Sequence, residues 1–109
     1  MPLFIKTEFI KKKYLSNLNS RKKIIQDHIN WVKTLKDRGI NINSGYLIDY
    51  LKKPGGGGLL MIECTSYYEA EKIIKSDPMV KNNIVDWKLH EWIDICLLYT
   101  SDAADEVVS

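Results

Sequence analysis

Hydrophobic and polar residues repeat along this chain with two different periods, and the places where the period changes mark out its elements. From Leu3 to Ile10 the residues Leu, Phe, Ile and Thr alternate with Lys6 and Glu8, a period of two that predicts a half-buried strand. From Ser20 to Arg38 the period lengthens. Ile24, Ile25, Ile29, Trp31, Val32 and Leu35 recur at helical spacing, which predicts a long amphipathic helix closed by a left-handed cap at Gly39. Ile40 to Tyr50 alternates loosely again, and Leu59 to Thr65 is rich in β-forming residues. Between them Pro54-Gly55-Gly56-Gly57-Gly58 breaks regular structure, so the two runs read as a hairpin with a flexible connection. Ser66-Tyr67-Tyr68-Glu69 has the spacing of a capping box, and Ala70, Ile73 and Ile74 carry a second apolar helical face. That helix should end near Ser76, because Asp77 precedes Pro78 and is pushed out of the α region. From Ile84 to Ile93, Val85, Trp87, Leu89 and Ile93 alternate against Asp86, Lys88 and His90, giving a fourth strand.

The order is β-α-β-β-α-β, the ferredoxin-like α+β arrangement with helices on one face of an antiparallel sheet. The opposite face needs a cover. Phe4, Phe9, Trp87 and Trp92 are too many large apolar groups for a solvated surface, which predicts a homodimer joined sheet to sheet. With 109 residues the chain has room for one domain, and burial against a second copy would add to a marginal core.

Charge changes this picture only a little. All sixteen Lys and Arg precede Cys96 and stand against eleven acidic residues there, a net +5 over the first 95 residues. This excess favours acidic ligands by steering but falls short of the usual footprint of a nucleic-acid binder. RNA binding is further disfavoured because the third strand reads Leu59-Leu60-Met61-Ile62-Glu63, without stacking aromatics. Two cysteines, Cys64 and Cys96, do not form a secreted disulfide pattern, so a reduced cytoplasmic setting is expected. Neither a signal peptide nor a membrane span is predicted.

After Lys88 basic residues stop. Cys96-Leu97-Leu98-Tyr99-Thr100-Ser101-Asp102-Ala103-Ala104-Asp105-Glu106 looks like a translated transposase-type sequencing adapter, so the domain is expected over 1–95, with 96–109 a non-native, disordered tail.

Two residues stand out chemically. His28 lies in the middle of the long helix's apolar stripe, with Ile24 and Val32 one turn away on either side. A histidine there is either a hydrogen-bonded core residue or a general acid-base group. Asp77 reads first as a cap at a helix boundary, and second as a carboxylate that could orient His28. The Pro54 to Gly58 run lacks the Lys and Ser/Thr of a P-loop, so it reads as a mobile loop that could act as a lid. No metal-ligand spacing is present, and neither metal nor cofactor is expected.

Several segments taken in order resemble the YCII-related (YciI-like) family. They are Arg21 with His28 seven residues on, Leu35 to Gly39, the step Asn43-Ser44-Gly45, Ser66-x-x-Glu69-Ala70, and Asp77-Pro78. The family often has Gly-Pro where this chain has Gly45-Tyr46. The resemblance implies a dimeric α+β barrel and a small-molecule enzyme with lyase, isomerase or dehalogenase-like chemistry. It further implies a cleft between the first helix and the sheet, with His28 and Asp77 as the catalytic pair and Arg21 and Ser44 contacting substrate. The alternative is a non-catalytic ligand-binding or interaction module on the same scaffold.

Overall fold

In the computed structural model, which describes residues 1–98, β1 (Leu3–Ile10) leads through a single helical turn, α1 (Lys12–Leu15), into the long α2 (Leu18–Asp37). The hairpin of β2 (Ile42–Ile48) and β3 (Pro54–Glu63) follows. Next come α3 (Tyr67–Ile74), the short α4 (Pro78–Lys81), β4 (Val85–Trp92) and α5 (Ile95–Leu98). The strands form one sheet in the order β2-β3-β1-β4, antiparallel at every junction. The fold is therefore α+β and ferredoxin-like, the architecture of the dimeric α+β barrels. The expected tail begins inside α5, and its residues 99–109 lie outside the described residues.

Local chemistry sets the helix ends. The Asn17 side chain accepts the Ser20 N–H at the start of α2, and Gly39, at φ +88°, closes it with its N–H on the Lys36 carbonyl. Ser66 Oγ accepts the Glu69 N–H at 3.1 Å to open α3. Asp77 ends one helical segment and opens another, because its carboxylate accepts the Met79 N–H at 2.9 Å and Pro78 supplies the first residue of α4.

Two apolar clusters lie between helices and sheet. One contains Phe4, Val32, Leu35, Ile42, Leu60, Ile62, Ala70, Ile74 and Leu89, and the other centres on Met79, Ile84 and Val85. On β1 the residues facing the helices are, in order, Phe4, Lys6, Glu8 and Ile10. Phe4 belongs to the first cluster and Ile10 packs on the second, so the two charges sit between them.

The alternation in β1 is real, and the charged set faces inward: Lys6 is 0% exposed, whereas Phe9 on the other face is 64% exposed. Two expectations change. Of the four aromatics from which some were expected to pack on a second copy, Phe4 and Trp87 are taken up under the helices, which leaves Phe9 and Trp92. Finally, Pro54 to Gly58 is no loop. It is the first half of β3, with Gly57 paired to Phe9 and Gly58 paired to both Glu8 and Tyr46, while the turn falls between Ile48 and Pro54.

Candidate functional site

A row of side chains crosses the helix-facing side of the sheet in register: Ser44 on β2, Leu60 on β3, Lys6 on β1 and Leu89 on β4. The next row reads Tyr46, Gly58, Glu8 and Trp87. Above these rows α2 brings down His28, and the α3–α4 junction brings in Asp77. The Trp31 indole N–H, one turn along α2 from His28, donates to Ser76 Oγ at 3.0 Å, which ties that junction to the helix.

The polar groups form a continuous chain. His28 Nδ1 lies 2.8 Å from Asp77 Oδ1, and His28 Nε2 lies 2.8 Å from Ser44 Oγ. The other oxygen, Asp77 Oδ2, accepts from the Lys6 ammonium at 2.7 Å, and Lys6 also reaches Glu8 at 2.8 Å. Lys6 and Asp77 are both 0% exposed, and His28 and Glu8 are nearly buried. Burial by itself would raise the Asp77 pKa. The hydrogen bond to His28 and the charge of Lys6 outweigh it, and the carboxyl is held below its ordinary range. An ionised carboxylate only accepts hydrogen bonds, so Nδ1 carries a proton. In the neutral ring Nε2 is then an acceptor, and the Ser44 hydroxyl donates to it. The buried cluster holds one ammonium against two carboxylates, so a proton arriving at Nε2 brings it to neutrality.

Beside this chain opens a cleft of about 960 Å³. Ile25, Ile29, Val32 and Met79 give it an apolar wall, and Arg21, Lys33 and Lys36 from α2 give it cations. Glu8 is its one acidic residue among those described. The glycine run makes the space. A Cβ on Gly58 would meet Glu8 Cγ and the Gly45 carbonyl, each at 3.2 Å, and one on Gly56, itself at φ +86°, would come 3.2 Å from a Leu15 methyl. The residues first read as a lid are thus floor.

The structure brings His28, Asp77 and Ser44 into one hydrogen-bonded line. Asp77 stands behind the ring, while His28, Ser44 and Arg21 line the cleft. Arg21 also donates to the Leu15 carbonyl at 3.3 Å. Sequence reasoning missed Lys6 and Glu8. The available signal was two charges on the same strand face as Phe4, which belongs to the core. Among the described residues no three His, Cys, Asp or Glu side chains converge as a metal site, and the Lys6 ammonium fills the position between the two carboxylates that a cation would take.

The model of the YCII-related domain matches residues 6–93. The chain belongs to the YCII-related family. Among solved structures it is similar to 5-chloro-2-hydroxyhydroquinone dehydrochlorinase from Burkholderia phenoliruptrix, determined in complex with 2,5-dihydroxybenzoquinone. That likeness has a TM-score of 0.63 at 19% identity and covers 84% of this chain and 93% of the other. A de novo designed protein, Ferredog-Diesel, shares the fold at a TM-score of 0.53 and 15% identity, over 83% of this chain and 84% of its own. No curated protein matches the chain by sequence. Resemblance at these identities speaks for the fold. The chemistry has to be argued from the cleft.

Proposed function

We propose that this YCII-related chain is a small-molecule enzyme in which His28 moves a proton at the mouth of the cleft and Asp77 holds its ring. The observation that carries this reading is the division of labour on the imidazole, with Nδ1 on a buried, ionised carboxylate and Nε2 turned to the cleft wall at Ser44. A histidine fixed in this way accepts a proton at Nε2, and the cluster behind it absorbs the charge. Removing a proton next to a carbonyl begins an isomerisation, and removing one as a halide departs completes an elimination. The structurally similar dehydrochlorinase is named for a reaction of the second kind. The substrate class follows from the lining: a small carbonyl or lactone-like compound with an apolar body and a negative group, the latter received by Arg21, Lys33 or Lys36.

The working unit in this reading is a homodimer. Phe9, Met61 and Trp92 lie exposed on the sheet face that none of the described helices α2 to α4 covers, which supports sheet-to-sheet contact between copies. Both described cysteines are free, in keeping with a reduced cytoplasmic setting. No described helix is long and apolar enough to cross a membrane.

The test is to titrate the His28 ring by NMR in the native chain and in Asp77→Asn, then assay His28→Gln against small anionic halo-, keto- and lactone compounds. The expected result is a solvent-coupled ring whose titration moves when Asp77 loses its charge. A folded His28→Gln chain should lose about 10²- to 10⁴-fold in turnover. A ring sealed from solvent and indifferent to Asp77 would sink the acid-base role and leave a ligand-binding module as the better account.

A further inference from the structure

We infer that Ser44 is a nucleophile, and that Ser44, His28 and Asp77 form a hydrolytic triad acting on small carboxylic esters or lactones. The inference rests on the reading of His28 as a base and adds to it a covalent step that proton transfer alone does not require.

Three observations carry it. The spacing is that of a relay, with hydroxyl to Nε2 and Nδ1 to carboxylate both at 2.8 Å. Asp77, the third member, has its remaining oxygen anchored by Lys6, so the carboxylate that holds the ring cannot turn away without breaking a buried ion pair. Ser44 lies on the edge strand and is itself exposed on the cleft side, so an acyl group can reach Oγ.

Backbone geometry adds an electrophile-stabilising group. The Glu63 N–H donates to the Asn41 carbonyl at 3.0 Å, which makes that pair a hydrogen-bonded rung of the antiparallel β2–β3 ladder. Rungs alternate, so Asn43 with Met61 is bonded, and Ser44 opposite Leu60 is a non-bonded pair. The Ser44 N–H therefore points away from β3 at the open edge of the sheet. A nucleophile's own amide in that position is a donor for the oxyanion of a tetrahedral intermediate.

The step balances with water as the only co-reactant. Ser44 Oγ bonds to the acyl carbon while its proton passes to His28 Nε2. The ester C–O bond then breaks, and Nε2 returns the proton to the departing alkoxide. Water attacks the acyl-serine, giving a proton to Nε2, and that proton goes back to Oγ as the carboxylic acid leaves. In a lactone the alkoxide stays attached, and the product is a hydroxy acid.

A serine that merely caps Nε2 would have the same distances but no reactivity. The full chain is incubated with a fluorophosphonate, whose P–F bond breaks as a Ser–O–P bond forms, and the adduct is mapped by peptide mass spectrometry. One adduct per chain on Ser44 is expected, absent in Ser44→Ala and forming at least about 10²-fold more slowly in folded His28→Gln. No adduct on Ser44, or one whose rate ignores His28→Gln, overturns the inference. The NMR titration of the ring separates the two readings. An unlabelled Ser44 beside a ring that responds to Asp77→Asn removes the nucleophile and leaves the base. An unlabelled Ser44 beside an unresponsive ring removes both.

Discussion

Each face of this sheet departs in one place from the usual arrangement of a small protein, the inner by buried charge and the outer by exposed apolar side chains. Under the helices, where apolar side chains are expected, β1 places a fully buried ammonium and a nearly buried carboxylate, and the ammonium pairs with Asp77, which holds His28. On the uncovered face β1 and β3 present Ile5, Phe9, Leu59 and Met61. Burying ions is costly unless each is paired, and a paired cluster often adds little to net stability compared with a well-packed apolar one. An apolar surface open to water is costly as well, unless something covers it. On the proposed reading both departures have the same kind of explanation: the charges serve a site, and the apolar face serves an interface. The contrast predicts that substitutions on the inner face change chemistry and stability together, whereas those on the outer face change assembly alone.

The largest effect is expected at Asp77. Asp77→Ala strands Lys6 with one carboxylate, removes the partner of Nδ1 and takes away the cap of α4. Breaking a buried ion pair from one side costs about 3–5 kcal/mol, a large share of a small domain's stability. Urea denaturation should show this loss, and Asp77→Asn, which keeps shape and some hydrogen bonding, should lose less. Lys6→Met should come next. It leaves Glu8 and Asp77 as facing carboxylates, and adding Glu8→Gln should recover part of the loss in a double-mutant cycle. If the two changes simply add, Lys6 does not couple to Glu8 and the cluster is not one unit.

Acid probes the same cluster without mutation. The Asp77 carboxyl is held below its ordinary range in the folded state, so the unfolded chain binds the proton first as pH falls. Its contribution is complete above the unfolded value, near pH 4, and is lost as pH falls through the lower folded value. Urea midpoints followed from about pH 5 down to pH 2 should therefore drop more steeply in the native chain than in Asp77→Asn. Parallel curves would mean that Asp77 is not held ionised by its neighbours.

How much of this was legible beforehand depends on what periodicity can report. A period of two says which residues share a strand face, and it sorted β1 correctly into Phe4, Lys6, Glu8 and Ile10 against Leu3, Ile5, Thr7 and Phe9. It does not say which face is inside, and polarity is no guide here, because β1 buries Lys6 and Glu8 while Phe9 is exposed. The glycine run failed for a related reason. Glycines read locally as a break, yet in β3 they are held by strands on both sides, and what they provide is the absence of side chains under the cleft. His28 and Asp77 were legible as a pair through the family's spacing, whereas Ser44 opposite Nε2 depends on a β2–β3 register that no local pattern contains.

On the outer face, Met61→Lys places a charge at the centre of the uncovered patch, opposite Ile5 and Asn43. Met61 already touches solvent in the single chain, so the protomer's secondary structure should persist, with an intrinsic change within about 0.5 kcal/mol. Assembly should not persist. A dimer interface of standard size buries roughly 1,600 Å² in total, and an unpaired ammonium at its middle should shift sedimentation at micromolar concentration to the monomer. A native chain that already sediments as a monomer would remove the second half of the comparison.

The smallest effect is expected from deleting 96–109. The two clusters that hold the helices to the sheet are built from residues before this segment, and the matched family domain spans 6–93. The segment has no basic residue, unlike the rest of the chain, which fits an origin outside the domain. Among the described residues its start makes a hydrogen bond from the Cys96 N–H to Asp94 Oδ1 at 2.8 Å, which is local and exposed. Losing a local exposed contact costs within about 0.5 kcal/mol, which for a domain of this size shifts the melting temperature by no more than about 2 to 4 °C. The same deletion should leave fluorophosphonate labelling of Ser44 and the sedimentation of the native chain as they were. A fall of 10 °C or more in calorimetry, well beyond about 1 kcal/mol, would mean that residues after Ile95 pack on the domain, and the outer face would then have its cover within the chain itself.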